Sequence, residues 1–356
     1  KIYRKKLFMN LLKLPEFKKT LISNSSSIND AVKSLNNSGL KIVLVIKKTK
    51  LIGTVVDGDI RRGLLKGINL NDNISKILNK KPITAGVNVK KKEAIYLMKE
   101  NDIQHLPVVN KKKSVLGLYI NLDLIETSKR NTKFVIMAGG LGKRLLPLTK
   151  KKPKALIKIF NKPMIEHIII RAKKFGFHNF ILSINYLGSN IKKYLKNKKN
   201  LKVKISYIEE KKPLGTAGSL YLLKNIKDKH VLVTNCDVVS DIDYADVIDY
   251  HRSNQADVTM VVKRYETKNP FGVIETKGNN FVAYYEKPVK YENINAGIYV
   301  FNVKNFKFLK NEQHKDMNEF FGDLIKLNKK VIVYPVYETW ADLGTKNDFN
   351  KKKWKS

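Results

Sequence analysis

The chain has 356 residues, 43% of them hydrophobic, with 70 Lys and Arg against 31 Asp and Glu, for a formal charge of +39. At about 100–200 residues per domain, this length makes room for two or three domains with proper cores, and the charge excludes an acidic disordered chain. A polyanionic partner is the first reading such a charge invites, but residues 1–130 carry +17 and the remainder +22, and only eight of the basic residues are Arg. Base-edge readout leans on Arg, so an evenly spread Lys excess describes solubility and association rather than a nucleic-acid footprint. No nucleic-acid partner is expected.

The single cysteine, Cys236, excludes an intrachain disulfide and points to a reducing, cytoplasmic setting. No apolar run approaches the 18–20 residues of a membrane span. The six histidines show no zinc spacing, and His105, His167, His178 and His251 read as structural.

The first 130 residues contain a repeat with a period near 63. GLKIVLVIKKTKLIGTVVDGDI (39–60) matches DIQHLPVVNKKKSVLGLYINLDL (102–124), with Gly53 falling on Gly117 and Asp59 on Asp123. Each unit predicts a helix, a strand (42–46; 106–109), a Lys-rich hairpin, a second strand (51–56; 115–120) and a helix. The pattern resembles a tandem pair of CBS repeats, an α+β module over 18–128 (repeats 18–76 and 77–128) behind an N-terminal extension, 1–17. The resemblance implies an adenine nucleotide as ligand, its ribose held by the aspartates matching Asp59 and Asp123. The family's Ser/Thr three residues earlier is Val56 in one repeat and Ile120 in the other, so adenine-nucleotide binding is expected to be weak or absent. Helix capping is the plainer use of both aspartates. The polar stretch 129–133 reads as a linker.

A second domain is expected over 134–350. Residues 134–137 form a short apolar run suited to a buried strand, followed by Ala138-Gly139-Gly140-Leu141-Gly142. Glycines after a buried strand let backbone N–H groups approach phosphate oxygens. No GK[ST] follows, and Arg144 and Pro147 stand where a dinucleotide-binding helix would begin, so neither common phosphate motif applies. Strands are expected at 179–185, 203–208 and 230–235, alternating with helical patterns as in an α/β sheet.

The string G-G-x-G-x-R-x-x-P-L-T-x-x-x-P-K, from Gly139 to Lys154, resembles the signature of sugar-phosphate nucleotidylyltransferases. It implies a Rossmann-like, mixed but mostly parallel sheet of the nucleotide-diphospho-sugar transferase type. It also implies an enzyme that moves a nucleotidyl group from an NTP to a sugar 1-phosphate, releasing pyrophosphate. Residue by residue, it places the triphosphate on Ala138, Gly139, Gly140 and Gly142, with Arg144 and Lys154 neutralising it. The base falls on Leu214, Gly215, Thr216, Ala217 and Gly218, where the glycines let the backbone approach the ring. Asp237, in N-x-D, and Asp342, in W-x-D-x-G-T, would hold Mg²⁺. The sugar falls on Glu286, Asn295 and Gly297, with Lys287 on its phosphate.

L-G-T-A-G looks most like the guanylyltransferase branch. Glu209 or Glu210 can accept from guanine N1–H and its 2-amino group, which makes GTP the expected donor and Glu210 a nucleotide-binding residue; UTP, CTP and dTTP remain open. The sugar is expected to be of the glucosamine-1-phosphate or mannose-1-phosphate type, for surface polysaccharide or nonulosonic-type sugars. A catalytically inactive ligand-binding regulator is the alternative of another class. A homo-oligomer is expected from the CBS resemblance.

Overall fold

A computed structural model describes residues 9–121 and 129–344. The chain divides into two compact units, Lys1–Thr127 and Ser128–Ser356. Among the described residues no helix is long and apolar enough to cross a membrane.

The first unit is built from the two repeats. One supplies a three-stranded sheet of Leu21–Ser23, Ile42–Lys47 and Lys50–Val56. The other supplies Ala85–Gly86, His105–Val109 and Val115–Asn121. Helix Ile28–Ser38 starts at a reciprocal cap, Ser27 with Asp30, and ends on Gly39 at φ +66°, where a side chain would be strained. The strand Met9–Leu12 lies in the stretch read above as an extension. It pairs antiparallel with Val115–Asn121 and gives the second repeat a fourth strand. Lys13 and Pro15 close that short run before any periodicity can register, which hides it in the sequence.

Asp59 sits at the start of helix Asp57–Leu65. Its carboxylate accepts from the Val56 N–H at 2.9 Å and pairs with Arg62. The capping use is therefore the one observed. Asp123 lies outside the described residues.

The second unit is organised on a seven-stranded sheet. In chain order its strands are β1 (Lys133–Met137), β2 (Asn179–Ile184), β3 (Lys204–Glu209), β4 (His230–Asn235), β5 (Val258–Lys268), β6 (Val289–Asn302) and β7 (Val331–Val336). The spatial order is 3-2-1-4-6-5-7. Four neighbouring pairs are parallel, and β6 runs antiparallel to both β4 and β5. The central strands read as apolar runs because helices cover both faces. Phe134, Ile136, Phe180, Leu182 and Leu232 pack on one side with helices Met164–Lys174 and Tyr244–Ser253, while Val135, Ile181, Val231 and Val233 pack on the other with Met317–Lys326. The chain runs outward from β1 through β2 to β3 and then returns to the far side of β1 with β4. Open α/β sheets bind ligands in the crevice that such a reversal leaves at the carboxyl ends of the strands.

At the opposite end of β4, His230 and His251 are joined by their ring nitrogens at 3.1 Å, and His251 reaches the Thr259 hydroxyl at 2.9 Å. His251 is fully buried. Burial pulls its pKa down to about 3 and that of His230 to about 4. Unfolded, both would titrate near 6.5. Between these values the unfolded chain binds protons that the folded one refuses, so stability falls as pH drops below 6.5. His251 alone accounts for a slope of about 1.4 kcal/mol per pH unit. Urea midpoints measured from pH 7 to pH 5 should decline, and His251→Gln should flatten that decline.

Candidate functional site at the switch between β1 and β4

The signature loop leaves β1 at Met137. The Ala138 N–H donates to the Ser183 carbonyl of β2 at 2.8 Å, which carries the chain over the sheet edge. Gly142 turns at φ +64°, and a Cβ there would lie 2.8 Å from Thr149 Cγ2. Thr149 closes the turn by donating its hydroxyl to the Gly142 carbonyl at 2.9 Å. A side chain at Gly140 would meet nothing within 4 Å. This glycine leaves the backbone open on the side where an anion would lie.

A small core beneath the loop fixes the charged residues. Leu145, Ile157, Met164 and Leu343 are buried together, with Val239 and Ala341 packed against them. Three of these four anchors neighbour a candidate: Leu145 follows Arg144, Ile157 lies three residues after Lys154, and Leu343 follows Asp342. The two-stranded pairing of Val238–Ser240 with Trp340–Asp342 places Asp342 opposite Val238. The Leu343 N–H donates to the Asp237 carbonyl at 3.0 Å. Two aspartates 105 positions apart in sequence are thereby set side by side.

Lys154 is 9% exposed and forms an ion pair with the Asp237 carboxylate. Around Gly344 the approach is equally close. A Cβ placed there would lie 3.0 Å from Asp342 Oδ1 and 3.1 Å from the Arg144 guanidinium carbon. Arg144, Lys154, Asp237 and Asp342 are thus gathered at one end of β4. Cys236, beside them, is buried, and its thiol is pushed up to about 12 by burial and the Asp237 charge. It stays protonated and has no nucleophilic role.

Glu210 follows β3 and ties three pieces together. Its Oε1 accepts from the Ser183 hydroxyl at 2.5 Å and its Oε2 from the Leu214 N–H at 3.2 Å. Asn185 Nδ2 donates to the Glu210 carbonyl at 2.6 Å. Gly139 lies against the same carboxylate; a Cβ there would stand 2.9 Å from Oε1. Ser183 and Asn185 were not singled out by sequence, although a polar pair ending the apolar run NFILSIN was the available signal. Glu209, by contrast, is exposed and pairs with Lys192.

The 214–218 segment differs from expectation in one physical respect. Its glycines are spent on the protein itself. A Cβ on Gly215, at φ +74°, would lie 2.6 Å from the Lys315 carbonyl oxygen, and one on Gly218 would lie 2.5 Å from that of Gln313. The Ala217 and Gly218 N–H groups both donate to Lys315 O, at 2.9 and 3.1 Å, and Thr216 bonds Asp316 and the Met317 N–H. The segment is seated on 313–317 before any ring approaches it.

Gly297, at φ +69°, packs against Val238 and Asn235, next to Asp237. Asn295 caps this turn through Oδ1, which accepts from the Gly297 N–H at 2.9 Å, and its amide donates to the Tyr299 hydroxyl. Glu286 and Lys287 are exposed, paired to each other at 3.5 Å. They lie beyond the seven-stranded sheet's core, in the bend that joins the strand Asn280–Tyr285 to the start of β6.

The Nucleotidyl transferase family profile matches residues 133–355, more than half of the chain. The chain belongs to this family. A CBS domain profile matches 74–129, the second repeat. The chain is 33% identical over 224 residues to the mannose-1-phosphate guanylyltransferase catalytic subunit beta of Dictyostelium discoideum, and 32% over 229 residues to the mannose-1-phosphate guanyltransferase of Debaryomyces hansenii. Each match covers 61% of this chain, and the chain spans 62% of the length of these relatives. A solved structure from Bacillus anthracis, assigned as a glucose-1-phosphate thymidylyltransferase, superposes with a TM-score of 0.50 at 22% identity. It covers 61% of this chain and 92% of that one, and it shows the shared fold.

Proposed function

We propose that the chain transfers a guanylyl group from GTP to a sugar 1-phosphate of the mannose-1-phosphate or glucosamine-1-phosphate type. The products are a GDP-sugar and pyrophosphate. The observation that carries this reading is the convergence of the open glycine loop, Arg144, Lys154, Asp237 and Asp342 at the carboxyl end of β4. Relatives named as mannose-1-phosphate guanylyltransferases support the choice of base and sugar.

A sugar phosphate is already ionised near neutral pH, since the second pKa of a phosphate monoester is about 6. It needs no general base. One of its oxygens attacks the α-phosphorus in line, the bond from that phosphorus to the bridging oxygen breaks, and the electron pair leaves with pyrophosphate. The work left to the protein is positioning and charge neutralisation. Arg144 and Lys154 face the triphosphate, the 138–142 backbone cradles it, and Lys287 steers the sugar phosphate. Glu286, Asn295 and Gly297 frame the sugar.

Asp237 and Asp342 fit a hard divalent cation. They are two carboxylates held side by side, one of them already bound to the Lys154 ammonium, and Mg²⁺ uses one or two carboxylates alongside phosphate oxygens. Among the described residues no group of three or more His, Cys, Asp or Glu is arranged to hold a metal ion. Bound there, Mg²⁺ would supply charge stabilisation to the phosphates. A reaction that consumes NTP fits the cytoplasm. In the first unit, Asp59 is already engaged by Val56 and Arg62, which supports weak or no adenine-nucleotide binding.

Pyrophosphate release measured for four NTPs against a panel of sugar 1-phosphates tests the proposal. GTP with mannose 1-phosphate or glucosamine 1-phosphate should turn over fastest. Faster turnover with UTP, CTP or dTTP would overturn the base assignment, and no release with any pair would overturn the activity.

A further inference from the structure

Strand β2 is buried on both faces and carries one hydroxyl. Phe180, Ile181, Leu182 and Ile184 are apolar, and Ser183 among them is fully buried. Ser183 lies opposite Met137 of β1 on one side and Ile208 of β3 on the other. A hydroxyl taken from water into such a place costs free energy unless it finds a partner. The Ser183 hydroxyl finds one in Glu210 Oε1, to which it donates at 2.5 Å. Chemistry sets the direction, because an ionised carboxylate only accepts. Hydrogen bonds to a charged group are also the stronger class.

The backbone of the same residue serves the other half of the site. The Ser183 carbonyl accepts from the Ala138 N–H at 2.8 Å, where the phosphate loop begins. The hydroxyl reaches the base segment through Glu210, whose Oε2 accepts from the Leu214 N–H at 3.2 Å. One buried serine is therefore bonded directly to the loop assigned to the triphosphate and, one bond removed, to the segment assigned to the base. Glu210 is also held at its main chain: its N–H donates to the Ile184 carbonyl at 3.0 Å, and its carbonyl accepts from Asn185 Nδ2 at 2.6 Å. Those bonds leave the carboxylate free to turn about its own side-chain torsions. The Ser183 hydroxyl and the Leu214 N–H stop it turning. Of the two, Ser183 stands on the central sheet and Leu214 on a connecting segment, so the serine is the fixed reference.

We infer that Ser183 is a positioning residue for the nucleotide. Its hydroxyl sets the Glu210 carboxylate, and with it the spacing between the phosphate loop and the base segment. The inference rests on the proposed nucleotide site but not on which base is bound. Its test is calorimetric titration of the full chain with GTP, UTP, CTP and dTTP in Mg²⁺, without sugar phosphate so that nothing turns over. The variants are Ser183→Ala, Ser183→Cys, Glu210→Ala and the double change of Ser183 and Glu210 to Ala. For the NTP that the wild type binds tightest, Ser183→Ala should weaken binding about tenfold, the scale of one hydrogen bond to a charged group. Ser183→Cys refills the space but donates only weakly, so it should bind as poorly as Ser183→Ala. With Glu210 already replaced by Ala, Ser183→Ala should cost less than about twofold more, since the two residues act as one unit. Three results would overturn the inference alone: Ser183→Ala binding as the wild type does, binding restored by Ser183→Cys, or an equal loss in the Glu210→Ala background. The second would reduce the effect to packing, and the third would separate Ser183 from Glu210. A wild type that binds no NTP would overturn the proposed activity together with this inference. Should Ser183→Ala melt well below the wild type, Ser183→Cys, which leaves no cavity, takes its place in the comparison.

Discussion

Asp237→Asn should lower the rate of pyrophosphate release by about 10²–10³-fold at saturating substrates, the scale on which removing one preorganised electrostatic group is felt. The replacement is nearly isosteric, so the pairing of Val238–Ser240 with Trp340–Asp342 and the Leu343 N–H to Asp237 carbonyl bond survive. What disappears is a negative charge in partial burial. Two consequences separate this from a general loss of structure. The Mg²⁺ concentration for half-maximal activity should rise, because one of two carboxylate ligands has become an amide. The Lys154 ammonium should also lose its ionic partner, which leaves it free to hold the triphosphate more tightly. A lower KM for NTP together with the collapsed kcat is therefore expected. Unchanged pyrophosphate release would show that Asp237 plays no part in the reaction.

How much of this was legible in the sequence depended on how local the determining contacts are. Strands β1, β2 and β4 announced themselves because burial on both faces demands unbroken apolar runs, and 133–137, 179–184 and 230–235 meet that demand within a few residues. Arg144 and Lys154 stood out through the resemblance of the string from Gly139 to Lys154 to a family signature. Other features depend on distant partners. The glycines of 214–218 answer to a backbone a hundred residues away, and nothing near them hints at the 313–317 segment that fills the space. The Lys154–Asp237 pair spans 83 positions and joins two residues to which the family resemblance gives separate tasks. The hairpin of Val273–Lys277 and Asn280–Tyr285 had no burial periodicity to read, since it is exposed at nearly every position. The high charge, prominent at first sight, told least about the fold: of 70 basic side chains, the site gathers Arg144 and Lys154.

Glu210 carries the other large expected effect, and its geometry lets two roles be separated. Each carboxylate oxygen already accepts one internal bond, from Ser183 and from the Leu214 N–H. An ionised carboxylate has about four lone-pair sites, so accepting from guanine N1–H and the 2-amino group remains open to it. Glu210→Ala removes both functions. It leaves the Leu214 N–H and the Ser183 hydroxyl without their acceptor and opens space behind Gly139, so both the phosphate loop and the base segment lose a brace. The KM for every NTP should rise, by about tenfold to a hundredfold, the equivalent of about 1.4 to 2.8 kcal/mol. Glu210→Gln is the discriminating change. Its amide oxygen can still accept from the Leu214 N–H, and its NH₂ can donate to the Ser183 hydroxyl, so the brace is largely kept. Against guanine, however, one acceptor has become a donor facing another donor. If Glu210 reads the base, the preference for GTP over the other NTPs should fall by at least tenfold in Glu210→Gln, while kcat with GTP changes less. Equal retention of the GTP preference in both variants would confine Glu210 to bracing the loops and pass the choice of base to the backbone of 214–218.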